Sequence, residues 1–214
     1  MAVVESVNTG VSRPILAKTG VSGIDKRPAG GPVRIAVPGP AGSGLAGDVI
    51  CDAEHHGGPD QAVYAYARED LDSFAAELGP LRGGVFGENL TTAGIDVSGA
   101  ELGEHWRVGD ALLQVTVPRI PCRTFAAWLE RDGWVKRFTA AARPGTYLRV
   151  LAGGEVRAGD AVTVEHRPGH GVTVADTFRA LLTRPDRLPD LLAAGDDLLP
   201  ELRARILRRT TPAT

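Results

Sequence analysis

Within the first 168 residues the dipeptide Gly-Asp occurs at Gly47-Asp48, Gly109-Asp110 and Gly159-Asp160, and each of these leads into an apolar run. Glycine supplies positive φ and aspartate bonds its own backbone, so the repeat predicts turns feeding strands in a compact β-rich domain. The first such strand spans Leu45 to Asp52 and would carry Cys51 as a packing residue. Alternation in Val33–Val37 predicts another half-buried strand, and Val3–Val7 an opening one. Thr146–Leu151, the Gly153-Gly154 turn and Glu155–Val164 predict a closing β-hairpin. Leu71, Phe74, Ala75 and Leu78 fall at helical spacing, and a short helix is expected from Thr124 to Arg131.

The pattern changes at Val172. Thr173-Val174-Ala175-Asp176 has the form of a capping box, and Val174, Phe178, Leu181 and Leu182 share a helix face. Two further short helices follow, the last opened by Pro200. The expected division is a β domain over 1–168 and a three-helix extension over 172–210. Helices this short need a partner surface, either the β domain or a second copy of the chain in a homodimer.

With 214 residues, 43% hydrophobic and 23% charged, the composition is that of a folded domain. A net charge of -2 gives no general attraction to nucleic acid. No apolar run reaches membrane-span length, and the N-terminus lacks the basic and apolar regions of a signal peptide. Two cysteines make no disulfide framework, so a cytoplasmic protein with reduced thiols is expected.

The chemistry concentrates in Pro118-Arg119-Ile120-Pro121-Cys122-Arg123. The prolines stiffen the turn, and cations beside a thiol favour the thiolate, which binds soft metals. The alternative is an inert cysteine between surface arginines. Lys26-Arg27 could meet an anion or be ordinary solvated charge. In Glu54-His55-His56-Gly57-Gly58-Pro59-Asp60 the two imidazoles point apart on an extended chain, so both would not ligate one metal. Asn89 and Thr91, after a glycine-rich approach, can bond a polar ligand or build turns. No P-loop or GxGxxG fingerprint is present.

Taken in order, Lys26-Arg27-Pro28, Gly47-Asp48, His55-His56-Gly57-Gly58-Pro59-Asp60, Gly87-Glu88-Asn89-Leu90-Thr91-Thr92 and Pro118-Arg119-x-Pro121-Cys122 resemble the MOSC-domain family. The resemblance is closest to its YiiM-like branch, which carries a C-terminal three-helix extension. It implies a mainly β fold with peripheral helices, a MOSC-type β-barrel followed by the small three-helix segment. It also implies a molybdenum cofactor (Mo-molybdopterin) ligated by Cys122 and reduction of N-hydroxylated bases and related N-oxygenated compounds. Lys26, Arg27, Arg119 and Arg123 would meet the cofactor phosphate, with Gly57, Asn89 and Thr91 beside it. His55 and His56 would bond the pterin or serve the N–O oxygen. Electrons would come from a separate reductase. A cofactor or sulfur carrier, or a thiol hydrolase pairing Cys122 with a histidine, are the competing readings. Many relatives have lysine where this chain has Gln61 and Thr124, which bears on substrate or redox partner.

Overall fold

A computed structural model of the chain describes residues 1–17, 20–40, 42–52 and 55–210; Glu54 lies outside the described residues. The strands are β1 (Val3–Thr9), β2 (Arg13–Pro14), β3 (Val21–Ser22), β4 (Arg27–Pro28), β5 (Val33–Ile35), β6 (Val63–Ala67), β7 (Leu90–Ala93), β8 (His105–Val108), β9 (Ala111–Pro118), β10 (Thr146–Ala152), β11 (Gly154–Val156) and β12 (Val162–His166). The helices are α1 (Arg68–Asp72), α2 (Ala75–Leu78), α3 (Arg123–Leu129), α4 (Trp134–Ala141), α5 (Val174–Leu182) and α6 (Pro200–Thr210).

Eight strands form one sheet in the order β12-β8-β9-β10-β6-β7-β1-β4. Its pairs are antiparallel except β6–β7, which run parallel. A parallel pair needs a crossover, and α1, α2 and the glycine-rich 79–89 segment supply it.

The expected barrel is not found. Among the described residues no ladder joins the outer strands β12 and β4. β1 and the segment before β12 meet at a single bridge, Val3–Ala161. The Gly159-Asp160 turn exchanges backbone bonds with Val4 (2.8 and 2.9 Å), and the chain then runs along β8 instead of continuing up β1. Closure demands unbroken pairing around the ring, and one bridge does not provide it. Nor are the helices only peripheral additions to a β unit: α1 to α4 interrupt the strand sequence.

Two further expectations change. The 146–164 hairpin is absent, because β10 pairs with β9 and β6 while β11 pairs with β5. Leu45–Asp52 is not a strand, because Asp48 is drawn inward as described below. In the C-terminal segment, Thr173 caps α5 as anticipated, its Oγ1 accepting the Asp176 N–H at 3.0 Å. Residues 185–197 follow as tight 3-10 turns with Pro189 inside, since prolines remove the donors an α-helix needs.

Two apolar clusters hold the fold. One lies on the sheet and includes Val63, Leu90, Trp106, Leu113, Val115 and Leu148, together with Val174 and Ile206 from α5 and α6. The other is aromatic: Tyr64, Tyr66, Phe74, Phe86, Phe125, Trp134, Phe138 and Phe178. The aromatic cluster backs the cleft that contains the candidate site. No helix among the described residues is long and apolar enough to cross a membrane.

Candidate functional site

β9 ends at Pro118, and the stiff Arg119–Pro121 turn delivers Cys122 to the N-cap position of α3. The half-buried thiol opens onto a cleft lined also by Lys26, Cys51, Asp52, His56, Gly57, Gln61, Tyr64, Asn89, Arg119, Thr124 and Tyr147. Gly57 and Gly58 both hold positive φ (84° and 83°), and a Cβ on Gly58 would stand 2.6 Å from the Pro40 carbonyl oxygen. That tight turn places His56 in the cleft wall.

Arg119 is 4% exposed, and its guanidinium carbon lies 3.9 Å from the centroid of Phe125. Its Nη1 has no hydrogen-bond partner, and no carboxylate pairs with it among the described residues. Burying a cation without a counter-charge is costly, so this arrangement calls for an anion.

Lys26 is different. Both oxygens of Asp48, whose side chain is fully buried, close on its ammonium. Asp48 also accepts the Gly10 N–H (2.7 Å), the Ser43 hydroxyl (2.6 Å) and the Asn89 amide (2.9 Å). Burial lowers the Lys26 pKa, with Asp48 opposing the shift. The pair therefore presents a compensated dipole rather than a free positive charge.

Asn89 borders the cleft, yet its carbonyl accepts the Tyr64 N–H and its amide donates to Asp48 and to the Asn8 carbonyl. It ties strands together. Thr91 is fully buried away from the cleft, bonded to Asn8 and Glu88. Glu88 accepts from Gly84, Phe86 and Thr91; burial raises its pKa while these bonds restrain the rise.

His56 Nδ1 stands 3.2 Å from the Tyr147 hydroxyl. Burial, then the field of Arg119, lowers its pKa to about 4, so the ring is neutral at pH 7. His55 is 61% exposed and paired with Asp52 at 3.1 Å, outside the cleft.

The structure thus gathers Cys122, Arg119, His56, Gly57, Lys26 and Asn89 at one cleft. It does not bring His55, Arg27, Thr91 or Arg123 there. Arg27 is exposed and paired with Asp25, and Arg123 faces solvent at the start of α3. Cys51, expected inside a strand, borders the cleft instead, and Tyr147 enters without having been singled out for the site.

The residues present suit a molybdenum cofactor. Cys122 and Cys51 both border the cleft, and the Cys122 thiol there is a soft ligand that a transition metal accepts. The orphaned Nη1 of Arg119 suits the cofactor's negative charge.

Residues 52–163 match the MOSC domain. The chain belongs to the MOSC-domain family. It is 34% identical over 154 residues to the uncharacterized protein YflK of Bacillus subtilis (strain 168), covering 72% of this chain and 67% of YflK. It is 34% identical over 120 residues to Protein YiiM of Escherichia coli (strain K12), covering 54% and 53%. A Gibberella moniliformis (strain M3125 / FGSC 7600) protein named Reductase is 30% identical over 153 residues, 64% of this chain but only 27% of that protein. The crystal structure of YiiM from Geobacillus stearothermophilus superposes over 99% of this chain and 100% of its own, with a TM-score of 0.79 at 25% identity. Within the family the chain is YiiM-like.

Proposed function

We propose that this protein binds a molybdenum cofactor in the Cys122 cleft and reduces N-hydroxylated bases and related N-oxygenated compounds. The observation that carries the reading is the buried, uncompensated Arg119 beside the one thiol that the stiff Pro118–Cys122 turn aims into the cleft. Family membership supports the cofactor, and the fungal relative named Reductase supports the reaction class.

In this reading Cys122 ligates the metal as thiolate and Arg119 neutralises the cofactor's anionic part. When bound, the cofactor supplies the two-electron chemistry that breaks the N–O bond. The change needs two electrons from a separate reductase and two protons; one proton goes to the departing hydroxyl, which leaves as water, and the other forms a new N–H bond. His56, neutral in the cleft wall, orients the oxygen by hydrogen bonding. The aromatic cluster behind the site keeps water from its inner side.

The test is metal and pterin analysis of protein from a host competent in cofactor synthesis, beside Cys122→Ala and Cys51→Ala. Near-stoichiometric molybdenum is expected in wild type and Cys51→Ala, and none in Cys122→Ala. Turnover of an N-hydroxylated base with an artificial electron donor should follow. Bound cofactor without turnover would favour a carrier, and no molybdenum in any of the three would sink the reading.

A further inference from the structure

Tyr147 lies on β10, and its hydroxyl links the two polar groups of the cleft wall that matter most. It is 3.2 Å from His56 Nδ1. Burial pushes its pKa up to about 12, and the Arg119 guanidinium nearby only partly opposes this, so the phenol keeps its proton. A guanidinium has donors and no acceptor, so it faces the phenol oxygen and drives the O–H away from itself. The acceptor within hydrogen-bond reach is Nδ1 of His56. A neutral imidazole has a single N–H; once Nδ1 accepts, that hydrogen is on Nε2. The reverse arrangement would cost the phenol hydrogen this acceptor while a buried cation stands nearby.

We infer that Tyr147 is a positioning residue: by donating to Nδ1 it locks His56 as the Nε2–H tautomer, so that the cleft wall offers a fixed, neutral N–H to an oxygen acceptor. Under the proposed function that acceptor is the hydroxyl oxygen on nitrogen, and this part of the inference rests on that reading. The tautomer itself does not. A fixed donor selects ligands with an acceptor at that point, because a ligand lacking one would leave the N–H without a partner.

The experiment is long-range proton–nitrogen correlation NMR on the full-length, nitrogen-15-labelled protein at neutral pH, with His56 assigned by the signals lost in His56→Gln. The expected wild-type pattern is a pyridine-like Nδ1 and a pyrrole-like Nε2. In Tyr147→Phe, which keeps the ring packed 5.2 Å from Tyr64, both nitrogens should move toward the averaged shifts of exchanging tautomers. A pyrrole-like Nδ1 in the wild type, or an unchanged pattern in Tyr147→Phe, overturns the inference; the wild-type spectrum decides alone if the variant does not fold. In molybdenum-loaded protein, with an N-hydroxylated base and an artificial donor, His56→Gln should exceed His56→Asn at least tenfold in kcat/KM. The Gln amide reaches the Nε2 position and the Asn amide does not; equal losses would overturn the donor role. Protein without molybdenum but with the Nε2–H tautomer intact would sink the reductase reading and support this one.

Discussion

Asp48 encloses the ammonium of Lys26 with both carboxylate oxygens, and both side chains are buried. Removing only the anion strands a buried cation, which costs about 3–5 kcal/mol. Asp48→Ala should therefore lose about that much in urea denaturation. Lys26→Met combined with Asp48→Leu should lose less than Asp48→Ala alone, because no charge is left without a partner. If the double variant is the weaker of the two, the packing of Gly10, Ser43 and Asn89 on Asp48 matters more than the charge.

Arg119 has the opposite balance. Its desolvation is several kcal/mol, whereas its stacking on Phe125, a desolvated contact, returns about 2 kcal/mol or somewhat more. Arg119→Met should leave the cofactor-free protein at least as stable as wild type while retained molybdenum falls tenfold or more. Paired denaturation curves and metal analysis check this. A large loss of cofactor-free stability would show that the guanidinium is structural.

The sequence did not show which of these two cations has a counter-charge, each being a basic residue within two positions of a proline. What separates them is a partner far along the chain: Asp48 lies 22 residues from Lys26, and nothing in local spacing places it there. The same contact undid the expected Leu45–Asp52 strand, since an inward Asp48 leaves its neighbours in a turn and brings Cys51 to the cleft. Strands with clear alternation or apolar runs, such as β9 and β1, were legible because their pattern is local. Pairing was not: β10 lies between β9 and β6, so Tyr147 meets His56 only through non-local topology. The barrel came with the family resemblance rather than from the residues, and the single bridge at Val3–Ala161 corrects it.

His56 also sets a pH dependence. Its folded pKa of about 4 lies below the ordinary value of 6.5, because burial disfavours the charged ring. The unfolded chain takes up its proton first as pH falls, so the contribution is fully present above 6.5 and is lost on the way down to about 4. At about 1.4 kcal/mol per unit, the most it can amount to is about 3 kcal/mol. Wild type should lose more stability between pH 7 and pH 4 than His56→Gln, measured by urea midpoints at each pH. Parallel loss in both proteins would place the acid sensitivity elsewhere.

Phe178 of α5 meets Phe138 of α4 edge-on, with ring centroids 6.4 Å apart. Phe138 in turn contacts Phe125 at 5.2 Å, and Phe125 is the ring beneath Arg119. The C-terminal segment therefore joins the aromatic cluster that backs the cleft, and both rings are fully buried. Truncating either leaves a large cavity, so Phe178→Ala should cost about 3–5 kcal/mol. Because the cluster is shared, we expect that loss in a single unfolding transition followed by both tryptophan fluorescence and far-ultraviolet circular dichroism. Separate transitions, with the helical signal lost first, would instead mark residues 172–210 as a unit that unfolds on its own and leaves the cleft intact.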